Sequence, residues 1–403
     1  MKAVMYGGGN IGRGFIGALL SQSGYEVTFI DVAEPCVKTL QEKRTYPVRY
    51  VSSLGCEDVW IENVTAVNGN DMEAASDVIA SCDIMATAVG VRILKFIVPN
   101  IVAGLRKRWA MGAKPLNIII CENLMDANKV VEGMLKAQLT DEECVRFDQT
   151  VGLVEAAIGR MVPVQTDEMK DGEPMRVCVE RYGFLPVDKD AFKGEVPEIR
   201  NMVPYSPFDF YVKRKLYIHN MGHATCAYLG NLLGLDYIYQ AIDVPEVRIL
   251  VQNAMLESAI ALSKQYGVPL GDLQLHINDL LYRFTNAALM DTCQRVGGDP
   301  ARKLGHEDRL IGSAALALKN GICPAAIAVG TAAALCRYLD ESDRTRTAEN
   351  ARDVLASISE IDPDGEHGKL ILFVYEKICA GASVKELCGA ADEVRHAAAV
   401  QVI

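Results

Sequence analysis

Within the run Lys215-Leu-Tyr-Ile-His-Asn-Met-Gly-His223, an amine (Lys215), an amide (Asn220) and an imidazole (His223) fall at helical spacing. At about 100° per residue, Lys215 and His223 lie about 80° apart and Asn220 about 60° beyond His223, so one cleft can receive all three. An amine that takes a proton, an amide that donates to an oxygen and an imidazole that orients a hydroxyl suit the oxidation of an alcohol without a metal. His219 falls by angle between Lys215 and His223, and spacing alone does not choose between the two histidines. The plain alternative is a helix whose Lys213-Arg-Lys215 face simply meets water.

The opening of the chain supplies the context. Lys2-Ala-Val-Met-Tyr6 reads as a buried parallel strand, and Gly7-Gly-Gly-Asn-Ile-Gly12 follows it at once. Gly7, Gly9 and Gly12 satisfy the dinucleotide fingerprint: the first for the turn, the second for close approach of a pyrophosphate, the third for packing of helix on strand. The N–H groups around Asn10 and Ile11, where the helix starts, then face the phosphates. Tyr25-Glu-Val-Thr-Phe-Ile reads as the second strand, closed by Asp31 nineteen residues after Gly12. A carboxylate there accepts from the ribose hydroxyls and repels a 2′-phosphate, which selects NAD over NADP. Arg13 is expected to neutralise the pyrophosphate, with a phosphate on the substrate as second choice.

At 403 residues the chain calls for two domains. Half of it is hydrophobic and 23% charged, as in a globular protein, and the net charge of −11 argues against nucleic acid as a partner. No apolar run reaches the length of a membrane span, and glycines and Arg13 break the N-terminal apolar stretch that resembles a signal peptide, so the expectation is a cytoplasmic protein without a membrane partner. Twelve cysteines occur without a Cys-x-x-Cys pair, and the six histidines do not cluster with them at ligand spacing. They read as reduced thiols, with no metal site. Nothing in the sequence decides the oligomeric state.

Beyond Asp31, strand and helix signals alternate. Cys82–Gly90 reads as a strand ending in a small-residue loop, with Thr87 and Val89 at its carboxyl end. Leu116–Asn123 reads as another, with Asn123 at its tip, where a nicotinamide is expected. In an open parallel sheet both loops face the cofactor. Val151–Val154 and Met175–Arg181 read as further strands of the same sheet. A proline-bearing stretch from Pro197 to Pro207 marks the boundary, and the pattern afterwards is helical. The expected architecture is therefore α/β plus all-α: a Rossmann-type doubly wound sheet over 1–203, then a predominantly helical substrate-binding domain over 204–403.

These pieces together resemble the polyol-specific long-chain dehydrogenases, the mannitol dehydrogenase family, and within it the mannitol-1-phosphate 5-dehydrogenase branch. The resemblance is carried by Gly9-Asn-Ile-Gly-Arg-Gly-Phe-Ile-Gly17, Cys121-Glu-Asn-Leu124, Asn220-x-Gly-His223 with Ala227-Tyr-Leu-Gly230, Arg283-Phe-x-Asn286, Arg295-Val-Gly, Pro300-x-Arg-Lys-Leu304 and Asp308-Arg-Leu310. It implies Lys215 as general acid/base, Asn220 and Asn123 as donors to the reacting oxygen, and His223 rather than His219 as the orienting imidazole. It also implies Arg295 and Lys303 as substrate-binding groups, with Arg13 and Arg302 as further holders of a phosphate. The implied reaction is the NAD-dependent interconversion of mannitol 1-phosphate and fructose 6-phosphate. Gly298, Gly312 and Gly159 depart from the branch, which carries basic residues at the first two positions and an acidic one at the third. A non-phosphorylated polyol, a hexuronate or a β-hydroxyacid as substrate, or a nucleotide-sensing protein without catalysis, are the alternatives.

Overall fold

A computed structural model describes residues 1–124 and 126–400. The chain divides into two compact units, Met1–Asp209 and Phe210–Ile403. A boundary at 203/204 would cut through a strand, because the last strand of the first unit runs Met202–Tyr205 and pairs with Leu185–Asp188.

The strands of the first unit are, in chain order, β1 (Lys2–Tyr6), β2 (Glu26–Asp31), β3 (Tyr46–Ser52), β4 (Gly55–Ile61), β5 (Val64–Asn68), β6 (Ile84–Thr87), β7 (Leu116–Ile120), β8 (Val151–Glu155), β9 (Val177–Val179), β10 (Leu185–Asp188) and β11 (Met202–Tyr205). Six of them form one parallel sheet in the order β5-β2-β1-β6-β7-β8. Counting only these six along the chain, the order is 3-2-1-4-5-6, the doubly wound arrangement whose order reverses between β1 and β6. Side chains alternate across it: Ala3, Met5, Phe29 and Ile119 enter one core, Val4, Tyr6, Ile30 and Ile120 the other. Both faces are covered, which is why these strands read as continuous apolar runs.

Strand β8 extends this sheet, but β9 does not. β9 pairs with β3, which also carries the antiparallel β4, in a separate three-stranded sheet. That small sheet packs on the helix after the glycine loop: a Cβ at Gly14 would come within 2.8 Å of Val177 and Val179. Its strands are tied there by polar contacts as well, since Tyr46 donates to Arg13 O at 2.8 Å.

The second unit is helical among its described residues. Its first helix is unbroken from Asp209 to Leu232: α-helical over Asp209–Arg214, π-helical over Lys215–Asn220, α-helical again over Met221–Leu232. Small residues let its neighbours approach closely. A Cβ at Gly222 would fall 2.0 Å from Met255 Cε of Pro245–Tyr266, one at Gly230 would fall 2.6 Å from Cys293 Sγ, and Gly330 of Ala325–Glu341 gives the same clearance to Thr225. A larger side chain at any of these points makes the facing side chain shift, and overpacking of this kind typically costs about 1–3 kcal/mol.

The start of Ala325–Glu341 is closed by Glu257, a buried carboxylate on Pro245–Tyr266. It accepts from Ala326 N at 2.9 Å and Ile327 N at 3.0 Å, and from Arg395 of the C-terminal helix at 3.2 Å. Burial nevertheless pushes its pKa up to about 7, the three donors offsetting only part of the desolvation. The unfolded value is about 4.3, so the carboxyl supports the fold fully below that pH and loses this contribution as pH rises through 7. The thermal midpoint of the wild-type chain, measured relative to Glu257→Gln, should therefore fall between pH 5 and pH 8; a difference independent of pH in calorimetry would contradict it.

Candidate active site

The glycine loop lies where the strand order reverses. Gly7 ends β1 with φ of +103°, a conformation that side chains rarely adopt, and a Cβ there would come 2.5 Å from Ala88 O in the loop after β6. A Cβ at Gly12 would fall 1.9 Å from Gly7 O, so the helix can start only as close to the strand as glycine permits. Gly9 differs from both: it and Asn10 are exposed, and nothing lies within 4 Å of where a Cβ would stand. Ile11 is half-buried behind them. This is an open backbone surface at a helix N-terminus, the shape and polarity that a pyrophosphate needs. Asp31 ends β2 beside it. Its Oδ2 accepts from Gly8 N at 2.6 Å and its Oδ1 from Ala33 N at 2.8 Å, which fixes the carboxylate at the edge of the loop.

Two of the expected residues prove to have structural partners. Arg13 donates to Gly8 O at 2.6 Å and to Met175 O, so its guanidinium braces the loop against the small sheet. Thr87 is fully buried, its hydroxyl sealed from solvent and without a hydrogen-bond partner. It cannot meet a ligand with that side chain. Val89, next along, is half-buried, and its N–H is held at 3.0 Å by Glu122 Oε1, while Gly90 N–H is held at 2.8 Å by Oε2. Glu122 was not singled out from sequence. It is buried at the end of β7, and it clasps the loop after β6 with two charge-assisted bonds. Its sequence signal is the Cys121-Glu-Asn-Leu124 match, which it shares with the neighbouring Asn123, exposed in the same turn.

In the second unit the π-helical segment changes the expected angles. An i→i+5 pattern has about 4.4 residues per turn, or about 82° per step. Lys215 and Asn220 then lie about 50° apart rather than about 140°, and Lys215 and His223 about 10° rather than about 80°. All three share an arc of about 60°, tighter than a regular helix allows. Lys215, Asn220 and His223 are each half-buried.

His219 and His223 part company. His219 is buried, and burial, then Arg283, His223, His276 and Lys215, hold its pKa well below the usual imidazole value. It is a neutral core side chain. His223 lies with its ring stacked on Phe284 (4.8 Å between centroids, 17° between planes) and its Nε2 3.1 Å from Asp291 Oδ2.

Asp291 is a second residue missed from sequence. Its other oxygen pairs with Arg295, whose side chain remains 54% exposed. Burial alone would raise the Asp291 carboxyl, but His223 and Arg295 hold it below the usual range. Lys303 is buried, 5% exposed, and burial followed by Arg309 and Arg302 lowers its pKa to about 8, against the opposing pull of Asp299 and Asp308. Arg302 is half-exposed and paired with Asp299 at 2.7 Å and Asp308 at 3.3 Å. The glycines that depart from the branch sit in tight places: at Gly312 a Cβ would stand 2.6 Å from Tyr217 Oη, and at Gly159 3.1 Å from the Tyr182 ring. Among the described residues, no three or more His, Cys, Asp or Glu side chains are grouped to hold a metal ion, and no helix is long and apolar enough to cross a membrane.

The clasp at Glu122 has a direct consequence. Glu122→Ala leaves two N–H groups without their acceptor, each such bond contributing about 1.5–3 kcal/mol. The thermal midpoint should drop by several degrees and the Kd for a reduced dinucleotide, read by fluorescence titration, should rise about tenfold. Unchanged affinity in the folded variant would remove Glu122 from the site.

Comparison with known proteins covers both units. The mannitol dehydrogenase Rossmann domain matches residues 1–201 and the mannitol dehydrogenase C-terminal domain residues 208–363. A mannitol-1-phosphate 5-dehydrogenase of Bacillus subtilis strain 168 is 39% identical over 336 residues, 83% of this chain and 87% of the relative. One of Brevibacillus brevis is 36% identical over 363 residues, 89% and 90% of the two chains. Among solved structures, a substrate-free D-sorbitol dehydrogenase has a TM-score of 0.79 at 16% identity, covering 96% of this chain and 94% of its own. The Pseudomonas fluorescens mannitol 2-dehydrogenase, solved with NAD and D-mannitol, has a TM-score of 0.73 at 15% identity, with the same coverage. At that identity the two structures speak to the fold: a parallel-sheet Rossmann unit followed by a helical one. The profiles and the two bacterial relatives go further, and on their strength the chain belongs to the mannitol dehydrogenase family.

Proposed function

We propose that this enzyme interconverts mannitol 1-phosphate and fructose 6-phosphate with NAD, using Lys215 as general acid/base without a metal. Membership of the family makes it an NAD-dependent polyol dehydrogenase. The phosphorylated substrate is inferred from the relatives at 36–39% identity. The observation that carries the catalytic assignment is the common arc of Lys215, Asn220 and His223, set by the π-helical segment.

The residues that would hold NAD are those of the open loop, Gly7, Gly9, Asn10, Ile11 and Gly12, with Asp31 for the ribose and the Val89 loop beyond. When bound, the nicotinamide accepts the hydride from the alcohol carbon. The hydroxyl proton must leave as well, and a free alcohol is far too weak an acid to lose it to water at neutral pH. Lys215, in its neutral form, takes that proton. Asn220 donates to the oxygen as negative charge develops, and the family resemblance gives Asn123 the same kind of role; one such donor typically contributes about 100-fold to 1000-fold in turnover. His223 orients the hydroxyl. In the reverse direction the protonated amine returns the proton to the ketone oxygen.

At the phosphate end the strongest candidate is Lys303. Burial and two arginines disfavour its charge in the free protein, and a dianion reverses that balance. Arg295 remains a candidate for the polyol chain and Arg302 for the phosphate, each half-exposed and paired with a carboxylate, while Arg13 is a weaker candidate because two carbonyls already engage it.

Two measurements test the reading. Lys215→Ala should lose nearly all turnover while binding NADH as the wild type does; near-normal turnover would refute the assignment of the base. In a panel of polyols, polyol phosphates, hexuronates and hydroxy acids, mannitol 1-phosphate should give the highest kcat/KM. Its KM should climb above pH 8 as the Lys303 amine loses its proton, and Lys303→Met should raise that KM at least about tenfold at pH 7 and abolish the climb. A KM untouched by Lys303→Met places the phosphate elsewhere.

A further inference from the structure

Asp291 is a buried carboxylate, and a buried charge is retained at a cost of several kcal/mol unless partners meet it. Here two side chains do so, one on each oxygen: the His223 imidazole, with Nε2 3.1 Å from Oδ2, and the Arg295 guanidinium on Oδ1. Both are residues of the proposed site, and both come from different helices, Met221–Leu232 and Cys293–Gly297.

The carboxylate itself is anchored from both sides of the backbone. Asp291 O accepts from Ile238 N at 2.9 Å, Tyr237 and Thr292 form an isolated β-bridge, and Cys293 N donates to Asp236 O at 2.8 Å. Thr292 then caps the helix that carries Arg295, accepting from Arg295 N at 3.1 Å. The His223 ring is fixed in a second way by its stack on Phe284. Its Nε2 is sealed from solvent and lies 3.1 Å from Asp291 Oδ2 without being aligned on it for a hydrogen bond, so the ring meets the carboxylate as a close polar contact, and Asp291, not water, is the acceptor beside that nitrogen.

We propose that Asp291 is a positioning residue: it keeps the proton of neutral His223 on Nε2, which leaves Nδ1 as the acceptor for a substrate hydroxyl, and it holds Arg295 in the same frame. A carboxylate on one ring nitrogen dictates the tautomer and so the role of the other. The single residue thereby couples the imidazole that orients the reacting hydroxyl to the guanidinium that meets the polyol. The inference deepens the polyol reading and uses it for the identity of the hydroxyl; the tautomer does not depend on it.

The experiment uses the full-length protein labelled with ¹⁵N-histidine, with the His223 resonances assigned by their loss in His223→Gln. The neutral wild-type ring should be in the Nε2–H form, and Asp291→Asn should shift it toward a mixture. A wild-type ring found as Nδ1–H overturns the inference, whatever substrate the enzyme takes. Kinetics supply the second arm. Asp291→Asn should lower kcat/KM for the phosphorylated polyol about 10-fold to 100-fold, the usual cost of losing a carboxylate behind a functional histidine, with the Kd for NADH unchanged. Added to His223→Gln, Asp291→Asn should cost little further kcat; added to Arg295→Ala, little further KM. Full additivity in both pairs, or loss of NADH binding in step with activity, marks Asp291 as merely structural and overturns the proposal. If the wild type turns over no polyol phosphate, the substrate reading fails while the tautomer still decides on Asp291.

Discussion

One helix carries the catalytic candidates, and its middle turn contains more residues than an α-helical turn holds. The widening over Lys215–Asn220 is what draws an amine, an amide and an imidazole, spaced five and three residues apart, onto a single narrow arc. A π-helical turn is intrinsically less stable than an α-helical one, so it persists only where packing imposes it. The packing here is dense: Gly222 lies against Met255, Thr225 against Gly330, and Gly230 against Cys293. These contacts grip the helix just after the wide turn and leave the following residues no freedom to slide back into regular register.

Carboxylates then fix what the helices and strands only bring near. Asp31 holds Gly8 N and Ala33 N at the tip of β2, Glu122 holds Val89 N and Gly90 N after β6, and Asp291 holds Arg295 beside His223. In each case a loop or side chain that would otherwise be mobile is tied by a charged acceptor, and such bonds are roughly twice as strong as neutral ones. The two units use the same device, although one presents backbone N–H groups and the other side chains. Lys303 is the counterexample: a buried amine whose surroundings disfavour its charge.

Much of this was legible in the chain. The glycine spacing, the apolar runs and Asp31 lead to a parallel sheet with an open loop, because a strand buried on both faces and a turn that must approach a phosphate each admit few residue types. The long helices of the second unit, such as Pro245–Tyr266 and Ala325–Glu341, announce themselves by periodicity. β9 misled, since three buried apolar residues look alike whether they extend the main sheet or pair with β3 beside it. Arg13 misled for a related reason: an arginine next to a phosphate loop looks like a ligand for the phosphate, yet it is engaged by the nearby Gly8 carbonyl and by that of Met175, 162 residues away, which only the fold brings to it.

The sequence by itself determined the two-part architecture, the nucleotide loop, and which residues are candidates for catalysis, because each depends on local spacing or on a match carried by contiguous motifs. The tertiary structure alone decided the rest. A π-helical turn has no compositional signature, and Lys215 to His223 reads as ordinary helix until its neighbours are in place. Glu122 and Asp291 are anonymous carboxylates until folding sets one against the amides of residues thirty-two and thirty-three positions away, and the other sixty-eight residues from the histidine it faces. Hydrogen bonds and ion pairs act over about three ångströms. Which groups come that close is a property of the packed chain and not of the string.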